Sequence, residues 1–303
     1  MAGYLQDKVV AITGGGRGIG RATALLCAAE GARIVIADYG VAMDGTEPTS
    51  AVADEVVAEI VDAGGEAVAV AVDVGSMDGG EAVVSSAVDT WGRIDGAVCV
   101  AGILRERMLF NMTEDEFDDV IRVHLKGTFT VFRAASAVMR KQEGGGSLVA
   151  FTSGVFALGS TSQANYAAAK GGITSLVYSA ALGLDRYGVR ANAVAPVART
   201  RMSANVPTEL AENGDPEDVA PMVAYLLSDA AADVTGQVYT AVGNKIAVWS
   251  QPREERAMWT EGRWTPQAIE VCLPGQIGVN RLPLLDKVKE MRAAAAAGER
   301  PNT

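Results

Sequence analysis

Histidine is nearly missing from this chain: His124 is the only one in 303 residues. That scarcity excludes polyhistidine metal centres, and it excludes a Ser-His-Asp hydrolase unless His124 is its base. Cysteine is scarce too. Cys27, Cys99 and Cys272 are widely spaced and make neither a metal-ligand pattern nor a disulfide framework, so a reduced, cytoplasmic compartment is expected. Positive charge is in deficit, with 26 Lys and Arg against 37 Asp and Glu and a net charge of −11. A nucleic-acid partner needs a clustered basic face, so none is expected, and an anionic small molecule must be held by local features. No apolar run is long enough to cross a bilayer, and no basic segment followed by an apolar one opens the chain. Neither a membrane partner nor secretion is expected.

What is present is ordinary globular composition, 49% hydrophobic and 21% charged. At this length an α/β chain often stays a single domain. Strand-like runs at Val9–Thr13, Arg33–Ala37, Ala67–Val72, Gly96–Val100, Ser147–Phe151, Val189–Val194 and Gln237–Val242 alternate with helical segments. The helices are expected near Gly18–Glu30, Ala53–Ala63, Gly80–Trp91, Glu114–Lys141, Ser162–Tyr187 and Pro216–Ser228. Parallel neighbours need crossover connections, so the alternation predicts an α/β, Rossmann-like doubly wound parallel sheet of about seven strands. The domain is expected over residues 1–243, with a loop insertion at Tyr39–Ser50 rich in Gly, Thr, Pro and Asp. Residues 244–303 form a C-terminal extension with Trp249, Trp259 and Trp264, ending in an alanine run that favours a frayed terminal helix. Its tryptophans either pack on the core or a neighbouring subunit, or line a substrate lid.

The first strand leads directly into Thr13-Gly-Gly-Gly-Arg-Gly-Ile-Gly20, and a helix follows. In that context Gly14, Gly16, Gly18 and Gly20, with Arg17 and Ile19 between them, let backbone approach a pyrophosphate that faces the N–H groups of the helix. Asp38 closes the second strand, where a carboxylate either accepts hydrogen bonds from ribose hydroxyls and repels a 2′-phosphate or merely caps a turn. Tyr39 follows it rather than a basic residue, so NAD is expected over NADP. Asp73 and Val74, after the third strand, either meet the adenine edge or simply make a turn.

Ser153, Tyr166 and Lys170 follow in that order, the last two one helical turn apart. A phenol ionises at about pH 10, and lowering that to about 7 takes about 4 kcal/mol of preferential stabilisation. An ammonium about 4 Å away supplies that at an effective dielectric of about 20. The expected roles are Tyr166 as base toward a substrate hydroxyl, Lys170 as its cation and as a partner of the nicotinamide ribose, and Ser153 as holder of the substrate oxygen. The bland alternative is an incidental surface pair.

These residues resemble the short-chain dehydrogenase/reductase family over roughly Leu5 to Gly243, in the glycine turn, Ser153, Tyr166-Ala-Ala-Ala-Lys170 and Asn192-Ala-Val-Ala-Pro196. The resemblance implies that Val100, Ala101, Gly102, Val123, Pro196, Val197 and Thr200 border the cofactor, with Val197 and Thr200 along the nicotinamide. It also implies a homodimer or homotetramer formed through helices Glu114–Lys141 and Ser162–Tyr187. Two positions depart from the pattern. The family's Asn-Asn-Ala-Gly is Cys99-Val-Ala-Gly102 here, so Val100 offers only its backbone, and the family's catalytic asparagine is His124. That histidine is either a structural polar residue or the holder of a water that passes protons toward Lys170.

A narrower similarity, to the (3R)-hydroxyacyl-CoA dehydrogenase part of peroxisomal multifunctional enzyme type 2, runs through Gly102-Ile-Leu-Arg-Glu-Arg107, Val123-His-Leu-Lys-Gly127, Gln163-Ala-Asn-Tyr166, Thr200-Arg-Met202 and the insertion after Asp38. It implies NAD-dependent oxidation of a 3-hydroxyacyl-CoA, with a bulky or steroid-derived acyl group among the options. Arg105 and Arg107 are then candidates for the CoA phosphates, or else solvated charges. A dehydrogenase of free terpenoid or sterol alcohols is the alternative, since fold does not set substrate. A non-catalytic NAD-binding regulatory protein is the remote one. The pocket walls are expected from Leu104–Asn111, Ala157–Ser162 and Met202–Asn213.

Overall fold

Strands buried on both faces read as nearly unbroken apolar runs, and Val9–Thr13 is one, apolar up to its last residue and buried at all five. The computed structural model describes residues 3–40, 49–198 and 214–278, with isolated positions between 282 and 293. The chain divides into two units, Met1–Trp249 and Ser250–Thr303.

In the first unit β1 (Val9–Thr13), α1 (Gly18–Ala29), β2 (Arg33–Ala37), α2 (Ala51–Asp62), β3 (Glu66–Val70), α3 (Met77–Trp91) and β4 (Gly96–Cys99) come first. They are followed by α4 (Glu114–Val120), α5 (Gly127–Met139), β5 (Gly146–Phe151), α6 (Val155–Leu158), α7 (Ala164–Leu184), β6 (Val189–Pro196), α8 (Pro216–Leu227), β7 (Val238–Val242) and β8 (Lys245–Val248). The sheet order is β3-β2-β1-β4-β5-β6-β7-β8. Every neighbouring pair is parallel except β7 with β8. The chain winds one way from β1 to β3 and the other way from β4 onward, so the carboxyl ends of β1 and β4 flank a topological switch point.

Successive side chains of a strand face opposite sides. Val9 and Ala11 accordingly enter a core with Val83 of α3, Val131 of α5 and Ile173 of α7. Val10 and Ile12 enter a second core with Ala24 of α1, Val56 of α2 and Val223 of α8. Each fully buried branched side chain contributes about 1.5–3 kcal/mol, so the two layers hold the strand ends rigidly in place.

Three elements differ from the sequence expectations. The third strand ends at Val70 rather than Val72, because its partner β2 runs out at the Ala37–Val70 pair. The single helix expected over residues 114–141 is broken by a π-helical segment, Ile121–Lys126, between α4 and α5. The widened turn shifts the apolar stripe by about one residue, which a 3.6-residue pattern absorbs without a visible break. The sheet also takes an eighth strand, β8, from residues read as extension; a two-residue Gly243-Asn244 turn joins Val242 to Lys245, with Gly243 at φ +50°.

Trp249 closes this unit as a packing residue. Its ring lies 5.1 Å from that of Phe156, and its Nε1 donates to Thr240 Oγ1 at 2.9 Å. The second unit contains α9 (Pro266–Gln276), capped by Thr265, whose hydroxyl accepts from Ala268 N at 3.2 Å. Trp259 of that unit is exposed. Most of the alanine run and residues 41–48 of the insertion lie outside the described residues. Cys27, Cys99 and Cys272 are free thiols. Among the described residues no helix is long and apolar enough to cross a membrane.

Candidate active site

The switch point is built around the glycine turn. Thr13 Oγ1 accepts from Val100 N at 3.2 Å and Ala101 N at 3.3 Å, drawing the ends of β1 and β4 together. A Cβ on Gly14, whose φ is +67°, would lie 2.8 Å from Ala101 N. A Cβ on Gly16 would lie 2.5 Å from Val52 Cγ1 and 2.9 Å from Asp38 Oδ2. These positions tolerate only glycine, and the hollow they leave is backbone-lined. α1 begins at its rim; Arg17 at the N-cap makes no side-chain cap hydrogen bond, and the first turn holds no acidic residue. Uncapped helix N–H groups with the positive end of the dipole suit a phosphate.

Asp38 sits half-buried at the end of β2. Its Oδ2 accepts from Gly16 N at 2.9 Å and its Oδ1 from Gly40 N at 2.7 Å. A carboxylate has about four acceptor positions, so these bonds orient it and leave capacity for hydroxyl donors. The residues present thus fit an adenine dinucleotide: a tight cradle for a pyrophosphate and an oriented carboxylate for a ribose.

The other cofactor candidates divide. Asp73 makes a turn, accepting from Gly75 N at 2.9 Å and pairing with Arg122, while Val74 is buried and its carbonyl accepts from Thr130 Oγ1 at 2.7 Å. Both are used by the fold, although the Asp73 side chain stays partly exposed beside Arg122. Val100, Ala101, Gly102, Val123 and Pro196 are all half-buried. Val197 donates its N–H to Ala241 O at 3.1 Å. Thr200 and the Met202–Asn213 wall lie outside the described residues.

The reactive candidates meet at the carboxyl end of β5. Ser153 follows that strand, with its side chain near enough to the Tyr166 hydroxyl to act on it as a hydrogen-bond partner that lowers the phenol. Lys170, one turn along α7 from Tyr166, is buried; its Nζ donates to Phe151 O at 2.6 Å and lies 5.3 Å from the Tyr166 ring centre. Burial pushes the Lys170 ammonium down to about 7 and the Tyr166 phenol up to about 12. Burial thus raises the phenol, where the sequence led to the expectation that Lys170 would lower it toward 7. Its ammonium is engaged by a backbone carbonyl, and loss of water from both groups outweighs their attraction.

His124 occupies the π-helical segment, a distortion that recurs at functional sites. Its ring meets that of Tyr166 edge-on at 5.2 Å. Nε2 lies 2.8 Å from Ile103 O and 3.2 Å from Ile103 N. The shorter contact favours Nε2–H donating to the carbonyl, which leaves Nδ1 as a bare acceptor. Among the described residues that buried atom has no partner. Burial, reinforced by Lys170, pushes the imidazole down to about 3, so it stays neutral.

Arg105 and Arg107, read either as candidates for CoA phosphates or as solvated charges, are both paired with carboxylates. Arg105 NH2 pairs with Asp119 at 3.2 Å, and Arg107 forms a two-pronged pair with Glu116, with NH2 at 2.8 Å and Nε at 3.1 Å from Oε1. They pin the loop after β4 to α4. Sequence reasoning gave no role to Thr13, which knits the two strand ends, or to Asn165, a buried amide beside Tyr166; the signal for the latter was a polar residue where α7 turns inward. A separate cleft of about 460 Å³ lies at the amino ends of the strands. Its Lys8–Asp229 pair and the Asp95 bonds to Val9 N and Arg93 are structural. Among the described residues no cluster of His, Cys, Asp and Glu is suited to a metal.

Comparison with known proteins identifies the family. The profile of a family described as "Enoyl-(Acyl carrier protein) reductase" matches residues 14–243. The hydroxyacyl-CoA dehydrogenase ChsB1 of Mycobacterium tuberculosis is 43% identical over 284 residues, covering 89% of this chain and 88% of that protein. The peroxisomal multifunctional enzyme type 2 of Mus musculus is 41% identical over 240 residues, 78% of this chain but 32% of that larger protein. A short-chain dehydrogenase structure from Mycobacterium avium superposes with a TM-score of 0.82 at 41% identity, covering 92% and 97% of the two chains. One from Mycobacterium paratuberculosis, bound to NAD, gives 0.72 at 28% identity, covering 78% and 97%. Glycine turn, Ser-Tyr-Lys cluster and matched length together make this chain an oxidoreductase of the short-chain dehydrogenase/reductase family.

Proposed function

We propose that the protein oxidises the 3-hydroxyl of an acyl-CoA thioester to a ketone, using NAD. The observation that carries the reaction type is the convergence of Ser153, Tyr166 and Lys170 at one strand end. The choice of NAD is supported by Asp38, whose negative charge, oriented by two backbone N–H groups, repels a 2′-phosphate. The thioester class is supported by likeness to ChsB1 over most of both chains.

Bound NAD supplies the hydride acceptor and a positive charge. Ser153 donates its hydroxyl hydrogen to the substrate oxygen and holds it beside Tyr166. The Tyr166 phenolate takes the hydroxyl proton as the carbinol carbon loses hydride. A phenolate in this buried setting needs a charged Lys170 close by. His124, neutral throughout, buttresses the Tyr166 ring and keeps an acceptor lone pair inside the site. Exposed Phe117, Phe129 and Leu182, on α4, α5 and α7, support a homodimer or homotetramer formed through those helices.

One observation favours the second reading, a free hydrophobic alcohol. Arg105 and Arg107 are already paired with carboxylates, while the neighbouring Met108, Leu109 and Phe110 are exposed apolar side chains. NAD reduction measured with 3-hydroxyacyl-CoAs, including steroid-derived ones, beside the matching free alcohols separates the two. Turnover confined to thioesters is expected, and turnover of free alcohols alone would overturn the thioester reading. Tyr166→Phe should lower turnover by at least about a hundredfold, the low end for a lost proton-transfer group.

A further inference from the structure

Asn165 is 1% exposed, and every polar atom of its side chain is in use. Nδ2 donates to the carbonyl of Arg105 at 2.9 Å and to that of Glu116 at 2.8 Å, while Oδ1 accepts from the backbone N–H of Tyr166 at 2.8 Å. The first N–H groups of a helix have no partner within it, and Gln163 at the N-cap of α7 makes no side-chain cap bond. Asn165 thus satisfies the orphan N–H of Tyr166 itself and ties it to two other segments.

Those segments are independently braced. Ile103 is held by His124, Arg107 N donates to Ser162 O at 2.9 Å, and Glu116 shares a capping box with Thr113 while receiving Arg107. The loop after β4, α4 and the first turn of α7 therefore converge on one amide. Only a short planar group with two donors and an acceptor meets all three demands; an ionised aspartate has no donor and leucine has none.

We propose that Asn165 is a positioning residue for the reaction, clamping the first turn of α7 so that the Tyr166 hydroxyl is held against Ser153 and its ring against His124. This rests on Tyr166 being the proton acceptor, as proposed above. Asn165 is itself buried and its polar atoms are all taken by protein groups, so its effect falls on turnover rather than on cofactor affinity.

The test compares wild type, Asn165→Asp, Asn165→Leu and Tyr166→Phe, assayed by NAD reduction with a medium-chain 3-hydroxyacyl-CoA, or with the free alcohol if only that is turned over. In Asn165→Asp the ionised carboxylate faces two carbonyl oxygens, whereas the protonated acid restores a donor. Above about pH 8 its kcat is expected at least about tenfold below wild type, with KM for NAD within about twofold, and the ratio to wild type should recover as pH falls. Asn165→Leu, which is of similar size, should stay low at every pH. If it fails to fold, the pH-dependent recovery of Asn165→Asp decides alone. A ratio flat with pH, or a loss confined to KM, overturns the clamp. An active Tyr166→Phe would instead sink the underlying site assignment, so the two failures are distinguishable.

Discussion

Acidifying from about pH 7.5 to about pH 5 isolates one buried group, because His124 is the only imidazole in the chain. In the fold its protonation is pushed down to about 3 from an ordinary 6.5. The unfolded chain therefore takes up a proton as pH falls through about 6.5 while the folded chain does not, and stability drops. The contribution is fully present above the unfolded value and is lost progressively on acidification. At about pH 5 the loss from this residue alone is about 2 kcal/mol, since each pH unit below 6.5 is worth about 1.4 kcal/mol. Urea unfolding followed by circular dichroism, in wild type and in His124→Gln, measures it. The variant cancels the carboxylates common to both and should show a shallower fall by about 2 kcal/mol over that range. With a single histidine, the imidazole NMR signals are also unambiguous and should show no titration between about pH 7.5 and about pH 5. A ring titrating near 6.5, or identical pH slopes in the two proteins, would refute the buried neutral assignment.

On the proposed ribose role of its carboxylate, Asp38→Ala should raise KM for NAD by about tenfold or more while affecting NADP less. Steady-state kinetics with both cofactors check this, and an equal loss for both would remove the ribose assignment. Gly102→Ala places a Cβ 2.2 Å from His124 Cε1, so the ring must move and release Ile103. A loss of about 1–3 kcal/mol in urea unfolding is expected, and wild-type stability would contradict the contact.

Most of the sheet was legible because parallel strands covered on both faces must be largely apolar, as β1 and β2 are apart from Thr13 and Arg33 at their ends. The glycine turn and the Ser153, Tyr166, Lys170 order were legible because their chemistry demands particular residue types at short spacing. β8 was missed although Gly243-Asn244 is a hairpin turn, since Lys245–Val248 is too short and mixed to stand out. The π-helical segment left no trace, because one inserted residue per turn barely disturbs the apolar stripe.

Local chemistry written in the residue order thus determined the fold class and singled out the glycine turn and the Ser153, Tyr166 and Lys170 candidates. What those groups experience was decided only by tertiary structure, because solvation and partner choice depend on elements distant in the chain. Folding withdraws water from Lys170, Tyr166 and His124 together and turns the ammonium toward Phe151 O. It commits Arg105 and Arg107 to carboxylates of α4 and brings Asn165 under three segments at once.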